Sequence, residues 1–509
     1  MLPILGLRWD QYVHQIGVGS PRLTDITNDG VQDIIIGTGF EWSESGDSAM
    51  VAINGSTGEL IWRTTVPESA YGTPVLIDIN DDGILDVTAS GRFADMYMLS
   101  GKTGERLWKL SEQNPNVMLL PCNFNSPTPI GDLDNDGIND FVVIQGGLAN
   151  NSTHIKIYNN ASNKLLLDVY NDDNIRQMLD TVLTETTDEN ISFRICNWED
   201  CEVKNIDRNI LKYYTFETVM SKIFLDQEGP GGRVYAISSA SGKILTMFPV
   251  PENRESWSTP IYVLLNGEPR IIYGSGGERK SGFIQSQSIK TGKVNWLIPV
   301  ENKGAISSPL LIYENNMPVV ITNTMGGNLL KIDAMTGKII WKKSVGTEYE
   351  TYSSVAMIQA EGKDYLDIVS IFSWGVWPKY DSATMFIFDG QSGEVIFRKK
   401  IGFCNGASSP IIADIDGDAL DDIIMLTCTD RQPRLLVLNN KKKEIFDKAL
   451  ASGGYSTPIV NDIDNDGHLD IIVPRFHYIS RFVTDQKGQT KRNLTWNQYR
   501  GKHWTGVLD

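Results

Sequence analysis

Residues 128–144 read Thr128-Pro-Ile-Gly-Asp-Leu-Asp-Asn-Asp-Gly-Ile-Asn-Asp-Phe-Val-Val-Ile144. A small residue and a proline open an apolar segment, an acidic turn with glycine interrupts it, and a second, β-branched segment follows. That order predicts a hairpin. The same unit recurs along the 509 residues, which makes the chain a repeat protein before any single motif is weighed. Its openings are Ser20-Pro21, Thr73-Pro74, Thr128-Pro129, Thr259-Pro260, Ser308-Pro309, Ser353-Ser354, Ser409-Pro410 and Thr457-Pro458.

Each unit closes with a second turn before an aromatic residue. Examples are Ser56-Thr-Gly-Glu59 before Trp62, Lys102-Thr-Gly-Glu105 before Trp108, Lys290-Thr-Gly-Lys293 before Trp296, and Met335-Thr-Gly-Lys338 before Trp341. Two hairpins per unit give four antiparallel strands. One such sheet cannot bury both faces alone, whereas a closed ring of them can. The reading is therefore all-β: a β-propeller of four-stranded antiparallel blades, eight by the number of openings, with seven as the alternative. Closure needs a clasp, and either the strand-like Leu7 to Gln15, with Trp9 in the place of the closing Trp, or the end from Trp496 completes the last blade.

Between Thr128 and Thr259 the repeat is interrupted, with 150–228 surplus. Ile175, Met178, Leu179, Val182 and Leu183 recur at helical spacing, which predicts a partly helical insertion within or after the third blade. A degenerate extra blade is the alternative, because Ile155-Lys-Ile-Tyr158 resembles a third strand.

Five units carry oxygen donors at alternating positions of the acidic turn. The sets are Asp25, Thr27, Asp29, Val31 and Asp33; Asp78, Asn80, Asp82, Ile84 and Asp86; Asp132, Asp134, Asp136, Ile138 and Asp140; Asp414, Asp416, Asp418, Leu420 and Asp422; and Asp462, Asp464, Asp466, His468 and Asp470. The seventh residue of each loop offers its carbonyl. Alternating carboxylates in a tight turn point to one centre, and hard oxygen donors in that number suit Ca²⁺, up to five ions. An EF-hand opens with similar letters but needs Glu at the twelfth position, where this chain has Ile36, Ala89, Val143, Met425 and Val473. The Asp416 loop, with Ala419 for glycine, and the Asp25 loop, with Thr27, are the weaker cases. Units four to six, around Leu265-Asn-Gly-Glu268, Glu314-Asn-Asn316 and Glu361-Gly-Lys363, have lost the set.

These D-x-D-x-D-G-x-x-D turns after a small-residue-Pro strand resemble the FG-GAP repeats of integrin α-subunit propellers and their bacterial relatives. The T-G-K-x-x-W closings are similar to the repeats of quinoprotein-type propellers. Together the two patterns span nearly all of the chain outside 150–228. The resemblance implies a calcium-stabilised, exported protein acting in adhesion or ligand binding; it carries no activity with it, because one propeller scaffold hosts many.

A net charge of −17 argues against nucleic acid as a partner. Five divalent cations would offset more than half of it. No apolar run is long enough to span a membrane. Five cysteines carry no zinc-type spacing: Cys196 and Cys201 could close a small disulfide loop or stay thiols, and Cys122, Cys404 and Cys428 are expected to pack as small buried hydrophobes. The first residues, Met1-Leu-Pro-Ile-Leu-Gly-Leu7, lack the basic start of a signal peptide, so the expectation is that either a leader has been removed from this numbering or export is not encoded here. The expected location is extracellular, cell-surface or periplasmic.

Loops joining second to third strands would lie on the face opposite the acidic turns. They bring Phe40-Glu-Trp42, Trp374, Trp377 and Phe476-His-Tyr478, while the connections into the blades add Tyr71, Trp257, Tyr352 and Tyr455. Aromatic rings with a polar edge suit a sugar or a protein hot spot; the plainer reading is packing between blades. With no P-loop, no G-x-S-x-G and no H-E-x-x-H, the expectation is a binding or adhesion module for a glycan or protein. The alternatives are a calcium-dependent polysaccharide lyase using Arg92, Arg279, Lys280 or His477, and a structural subunit of a surface assembly.

Overall fold

Alternation decides which neighbour each residue meets. In the strand Asp33–Gly37, Ile34 and Ile36 pack on one side with Ile459 and Ile472, while Ile35 packs on the other with Met50, Val87 and Leu99. Both faces are buried, so the strand is apolar throughout. Repeated around the chain, this gives core clusters that lie between sheets, such as Ile130, Val142 and Val234 against Ile271 and Tyr273.

The computed structural model describes residues 5–39, 48–92, 95–117, 119, 123–147, 154–159, 165–170, 190–197, 200–207, 231–278, 280–376, 379–402, 408–429, 432–487, 496–501 and 504–508. It is an eight-bladed propeller of four-stranded antiparallel blades with almost no helix. Blade 1 runs Arg22–Thr24, Asp33–Gly37, Ala49–Ile53 and Leu60–Thr65; blades 2 to 7 follow in chain order, beginning at Leu76, Thr128, Ile261, Leu310, Ala356 and Ile411. Blade 8 takes three strands, Ile459–Asn461, His468–Pro474 and Tyr478–Lys487, from the end of the repeat array and its outermost strand, Leu5–Tyr12, from the start of the chain. The amino-terminal strand is the clasp.

The residues from Trp496 do something else. Trp496 bridges Ile412 of blade 7, Asn497 bonds Val460 of blade 8, and Val507–Leu508 pairs in parallel with Leu311 and Ile312 of blade 5. Arg500 meanwhile reaches Thr128 and Pro260 at the inner strands of blades 3 and 4. Because all of these are innermost strands, the segment occupies the axis of the ring.

The small-residue-Pro steps acquire a reason here. The N–H of Ser20 donates to Thr73 Oγ1, Thr73 to Ser126, Ser308 to Ser354, Ser354 to Ser409, Ser409 to Thr457, and Thr457 back to Ser20. These hydroxyls link successive blades close to the axis. In blade 3 the linking residue is Ser126, two positions before the Thr128 step the repeat suggests.

The third blade is interrupted between Phe141–Gly147 and Gly231–Ile237. His154–Asn159, Leu165–Tyr170, Asn190–Asn197 and Asp200–Asp207 form a separate antiparallel sheet there, so Ile155–Tyr158 is a strand, though not of a blade. In its last hairpin Cys196 faces Cys201 in register. The helix expected around 175–183 lies outside the described residues.

Candidate metal loops and the opposite face

All five acidic turns share one backbone. The fourth position is left-handed at Asn28, Asp81, Asn135, Gly417 and Asn465, and so is the sixth at Gly30, Gly83, Gly137, Ala419 and Gly467. Ala419 adopts φ 69° where glycine stands in the other four, so its loop keeps the common shape at the cost of local strain. The internal bonds repeat as well. The sixth N–H donates to the first aspartate, as Gly137 does to Asp132 at 2.9 Å and Ala419 to Asp414 at 2.9 Å. The seventh N–H donates to the fifth, as Ile138 does to Asp136 and Leu420 to Asp418, both at 2.8 Å. The second donates to the ninth, as Leu133 does to Asp140 and Ile415 to Asp422, both at 2.8 Å.

This scaffold turns the carboxylates inward. Ligand atoms of Asp132, Asp134 and Asp136 lie within 4.8 Å of one another, as do those of Asp414, Asp416 and Asp422, and of Asp462, Asp464 and Asp470. In blades 1 and 2, Thr27 and Asn80 interrupt the acidic series; the Thr27 hydroxyl donates to Asp33 at 3.2 Å. Crowding has an electrostatic cost. Burial pushes the Asp422 carboxyl up to about 8, with Asp416 and Asp414 adding to the rise, and pushes Asp140 up to about 6 beside Asp134 and Asp136. Asp422 Oδ1 is buried with no hydrogen-bond partner. A cation among hard oxygen donors would answer both features, so the residues present fit Ca²⁺.

In blades 1 to 3 the ninth aspartate also ties the acidic turn to the closing turn of its own blade. Gly55 N–H donates to Asp33 at 2.9 Å, Gly101 to Asp86 at 3.0 Å and Ser239 to Asp140 at 3.2 Å. Blade 8 has no closing turn, because its fourth strand comes from the other end of the chain. Arg481 takes that role: its Nε donates to Asp470 at 2.7 Å, another guanidinium nitrogen pairs with Asp464, and Nη1 reaches Gly55 of blade 1 at 3.0 Å. Despite this arginine, burial holds Asp470 up at about 6.

Three blades without the acidic set have cations in its place. In blade 6 Lys363 Nζ contacts Asp367 at 2.7 and 2.9 Å and Asp389 at 2.8 Å, and Gly390 N–H still donates to Asp367 at 3.2 Å. Asp367 thus keeps the ninth-position role that the sequence reading takes to be lost. Lys331 pairs with Glu314 at 2.8 Å in blade 5, and Arg270 with Glu268 at 2.7 Å in blade 4. The sequence signal missed is a lysine or arginine set among buried strand positions, as in Ile479-Ser-Arg481-Phe482.

On the opposite face the expected aromatics separate into two kinds. Tyr71, Trp257, Tyr352 and Tyr455 are all half-buried. Tyr352 donates its hydroxyl to Glu278 of the blade 4 loop, Tyr455 packs edge-on against Phe476 at 5.5 Å, and Tyr71 covers Gly17 and Gly19. They join neighbouring loops. Trp374 is 42% exposed, beside Val376 at 50%. Both ride a hairpin, Leu366–Val376 with Lys379–Phe388, that outruns its blade and gains an extra short strand, Tyr349–Glu350. Tyr12, His477 and Tyr478 form a second aromatic group, with Tyr12 5.4 Å from Tyr478. Trp42, Trp377 and Arg279 lie outside the described residues. Arg92, Lys280 and His477 belong to loops of blades 2, 4 and 8. Cys428 is buried as expected but is disulfide-bonded, not a free thiol, its partner lying outside the described side chains.

Residues 33–127 match a family model described as outer membrane protein assembly factor BamB. No curated protein matches the chain. Among solved structures, quinohemoprotein alcohol dehydrogenase from Comamonas testosteroni is similar at 13% identity and a TM-score of 0.52, covering 94% of this chain and 76% of that one. BamB from Moraxella catarrhalis aligns at 12% identity over 94% of this chain and 97% of its own, with a TM-score of 0.37. Quinohemoprotein alcohol dehydrogenase ADHIIG from Pseudomonas putida HK5 aligns at 11% identity over 96% and 77%, with a TM-score of 0.47. At such identities the first likeness speaks for the fold alone. The chain carries PQQ-like propeller repeats.

Proposed function

We propose that this chain is a calcium-stabilised, extracytoplasmic propeller that binds a protein or glycan partner through the face opposite its Asp-rich turns. The observation that carries the reading is the contrast between the two faces. One holds five carboxylate turns of identical backbone; the other raises an overlong hairpin with Trp374 and Val376 in solvent. Exposed aromatic and apolar side chains on a rigid ribbon make an anchor at low entropy cost. The axis of the ring is occupied by described residues of the chain's own end, from Trp496 to Gly501 and from Trp504 to Leu508, which favours a surface as the place of recognition.

The disulfide at Cys428 agrees with an oxidising compartment. The family model matching residues 33–127, described as an outer membrane assembly factor, agrees with a cell-envelope setting and a protein partner. The FG-GAP-like turns supply the calcium half of the proposal: alternating aspartates with a buried, unpartnered oxygen at Asp422.

The test is binding of the calcium-loaded protein to glycan and envelope-protein arrays, beside Trp374→Ala and Val376→Asp variants whose melting is unchanged. Loss of the array signal by about tenfold or more is expected for each. Retained binding in both would overturn the assignment of the face.

A further inference from the structure

Two buried arginines lie close together on the ring axis, and among the described residues no carboxylate answers them. Arg22, in the inner strand of blade 1, is 2% exposed, and Arg500, in the axial segment, is 3% exposed. Arg22 Nη1 contacts Gln498 Oε1 and Tyr499 O, each at 3.3 Å, and its guanidinium lies 5.2 Å from the centre of the Trp504 ring. Arg500 bonds Thr128 Oγ1 at 2.8 Å, Thr505 O at 2.8 Å, and Pro260 O. Every one of those acceptors is neutral. Among the described residues no carboxylate pairs with either guanidinium.

Donors are left over as well. Arg22 Nε, Arg500 Nε and Trp504 Nε1 are buried and have no acceptor. All three are gathered by one short stretch of chain: Arg22 rests on residues 498 and 499, Arg500 follows them directly, and Trp504 covers Arg22. Taking an unpaired charge out of water is among the most costly things a fold can do. Water would satisfy an N–H, but it would not neutralise two cations. A buried group left in this condition in a well-packed structure points to an ion.

We propose that a small inorganic anion is bound on the ring axis between Arg22, Arg500 and Trp504. The anion would be part of the plug: it would hold the axial segment against blade 1 by bridging the segment's own Arg500 to Arg22 of the inner strand. Burial and the neighbouring Arg500 charge bring Arg22 down to about 9, and burial brings Arg500 down to about 10, so both remain cationic at neutral pH and the demand for a counter-ion persists.

Thermal melting of the full chain decides the matter, with calcium fixed as its gluconate salt and sodium gluconate exchanged for sodium bromide or sodium nitrate, neither of which precipitates calcium, at equal ionic strength. Bromide or nitrate is expected to raise the melting temperature saturably. Arg22→Met should abolish the response, and Trp504→Phe, which keeps a ring over Arg22 and removes one donor, should weaken the half-saturating concentration about tenfold. Crystals grown in bromide should show anomalous density within hydrogen-bond reach of Arg22 and Arg500. Melting that is the same in all three salts, or an anion response that survives intact in Trp504→Phe and in any folded Arg22→Met, or bromide density confined to the surface would overturn the proposal.

Discussion

The indole of Trp9 donates to the carbonyl of Gly55 at 2.9 Å, and this bond closes the ring. It is the same bond that joins blade 1 to blade 2 through Trp62 and Gly101 at 2.7 Å, blade 2 to blade 3 through Trp108 and Ser239 at 2.8 Å, and blade 4 to blade 5 through Trp296 and Ala334 at 2.9 Å. The ring of each tryptophan also covers a glycine of the next blade's closing turn: a Cβ on Gly58 would come within 2.7 Å of Trp9. That contact, together with φ 79° at Gly58, is why the closing motif requires glycine. A strand from the start of the chain thus docks on blade 1 as any other outer strand docks on its neighbour.

Replacing Trp9 by Phe should keep the stacking and lose the bond, lowering stability in urea by about 1 kcal/mol. Trp9→Ala, which also uncovers Gly58, should cost about 2–3 kcal/mol. Calcium-loaded unfolding curves check both; an effect of Trp9→Ala no larger than that of Trp9→Phe would argue against the clasp.

Chelation should lower the melting temperature, and added calcium should restore it by about 2.7 kcal/mol per site at a hundredfold excess over Kd. Ala419 offers a sharper version. Its left-handed φ of 69° strains an alanine, so Ala419→Gly should stabilise the protein by up to about 1 kcal/mol and tighten calcium at blade 7. Asp418→Asn should reduce the bound calcium, measured by elemental analysis, by one ion.

Blade 6 gives a dependence on pH. The Lys363 hydrogen bond holds the Asp389 carboxyl well below the usual carboxylate range. A carboxylate depressed in the folded state contributes stability above its unfolded pKa and loses it as pH falls through the folded one. Lys363→Met should therefore destabilise by about 1–3 kcal/mol at pH 7, and the difference from wild type should shrink progressively below about pH 4. Denaturant titrations at pH 7, 4 and 3 check this; a gap that widens with acid would contradict it.

Arg481 sits where blade 8 lacks a closing turn. Arg481→Met leaves Asp470 buried without that partner and should cost about 3–5 kcal/mol, with calcium recovering part of the loss by supplying positive charge nearby. Melting of the variant with and without calcium measures the recovery; equal losses in both conditions would show that the arginine and the ion do not share the same carboxylates.

Much of this was legible from residue order. Hairpins, blades and acidic turns are local: a glycine immediately before a closing Glu or Lys and alternating aspartates act over fewer than ten positions, and recurrence told that they belong to one ring. The cations of blades 4, 5, 6 and 8 were not legible, because Lys363, Lys331 and Arg481 matter only through partners on other strands or other turns. Nor was the anchoring role of Tyr352, whose acceptor is 74 residues away.

Sequence by itself determined a closed set of four-stranded sheets and the arc of Asp-rich turns, since period, turn chemistry and apolar alternation are properties of neighbouring residues. Tertiary structure alone decided which end of the chain would complete blade 8 and which would fill the axis. Both ends had the apolar and aromatic residues for either place. Only the finished ring supplied an open edge beside Tyr478–Lys487 and a line of inner strands facing Trp496 to Leu508, and unpaired backbone groups at those two positions selected their partners.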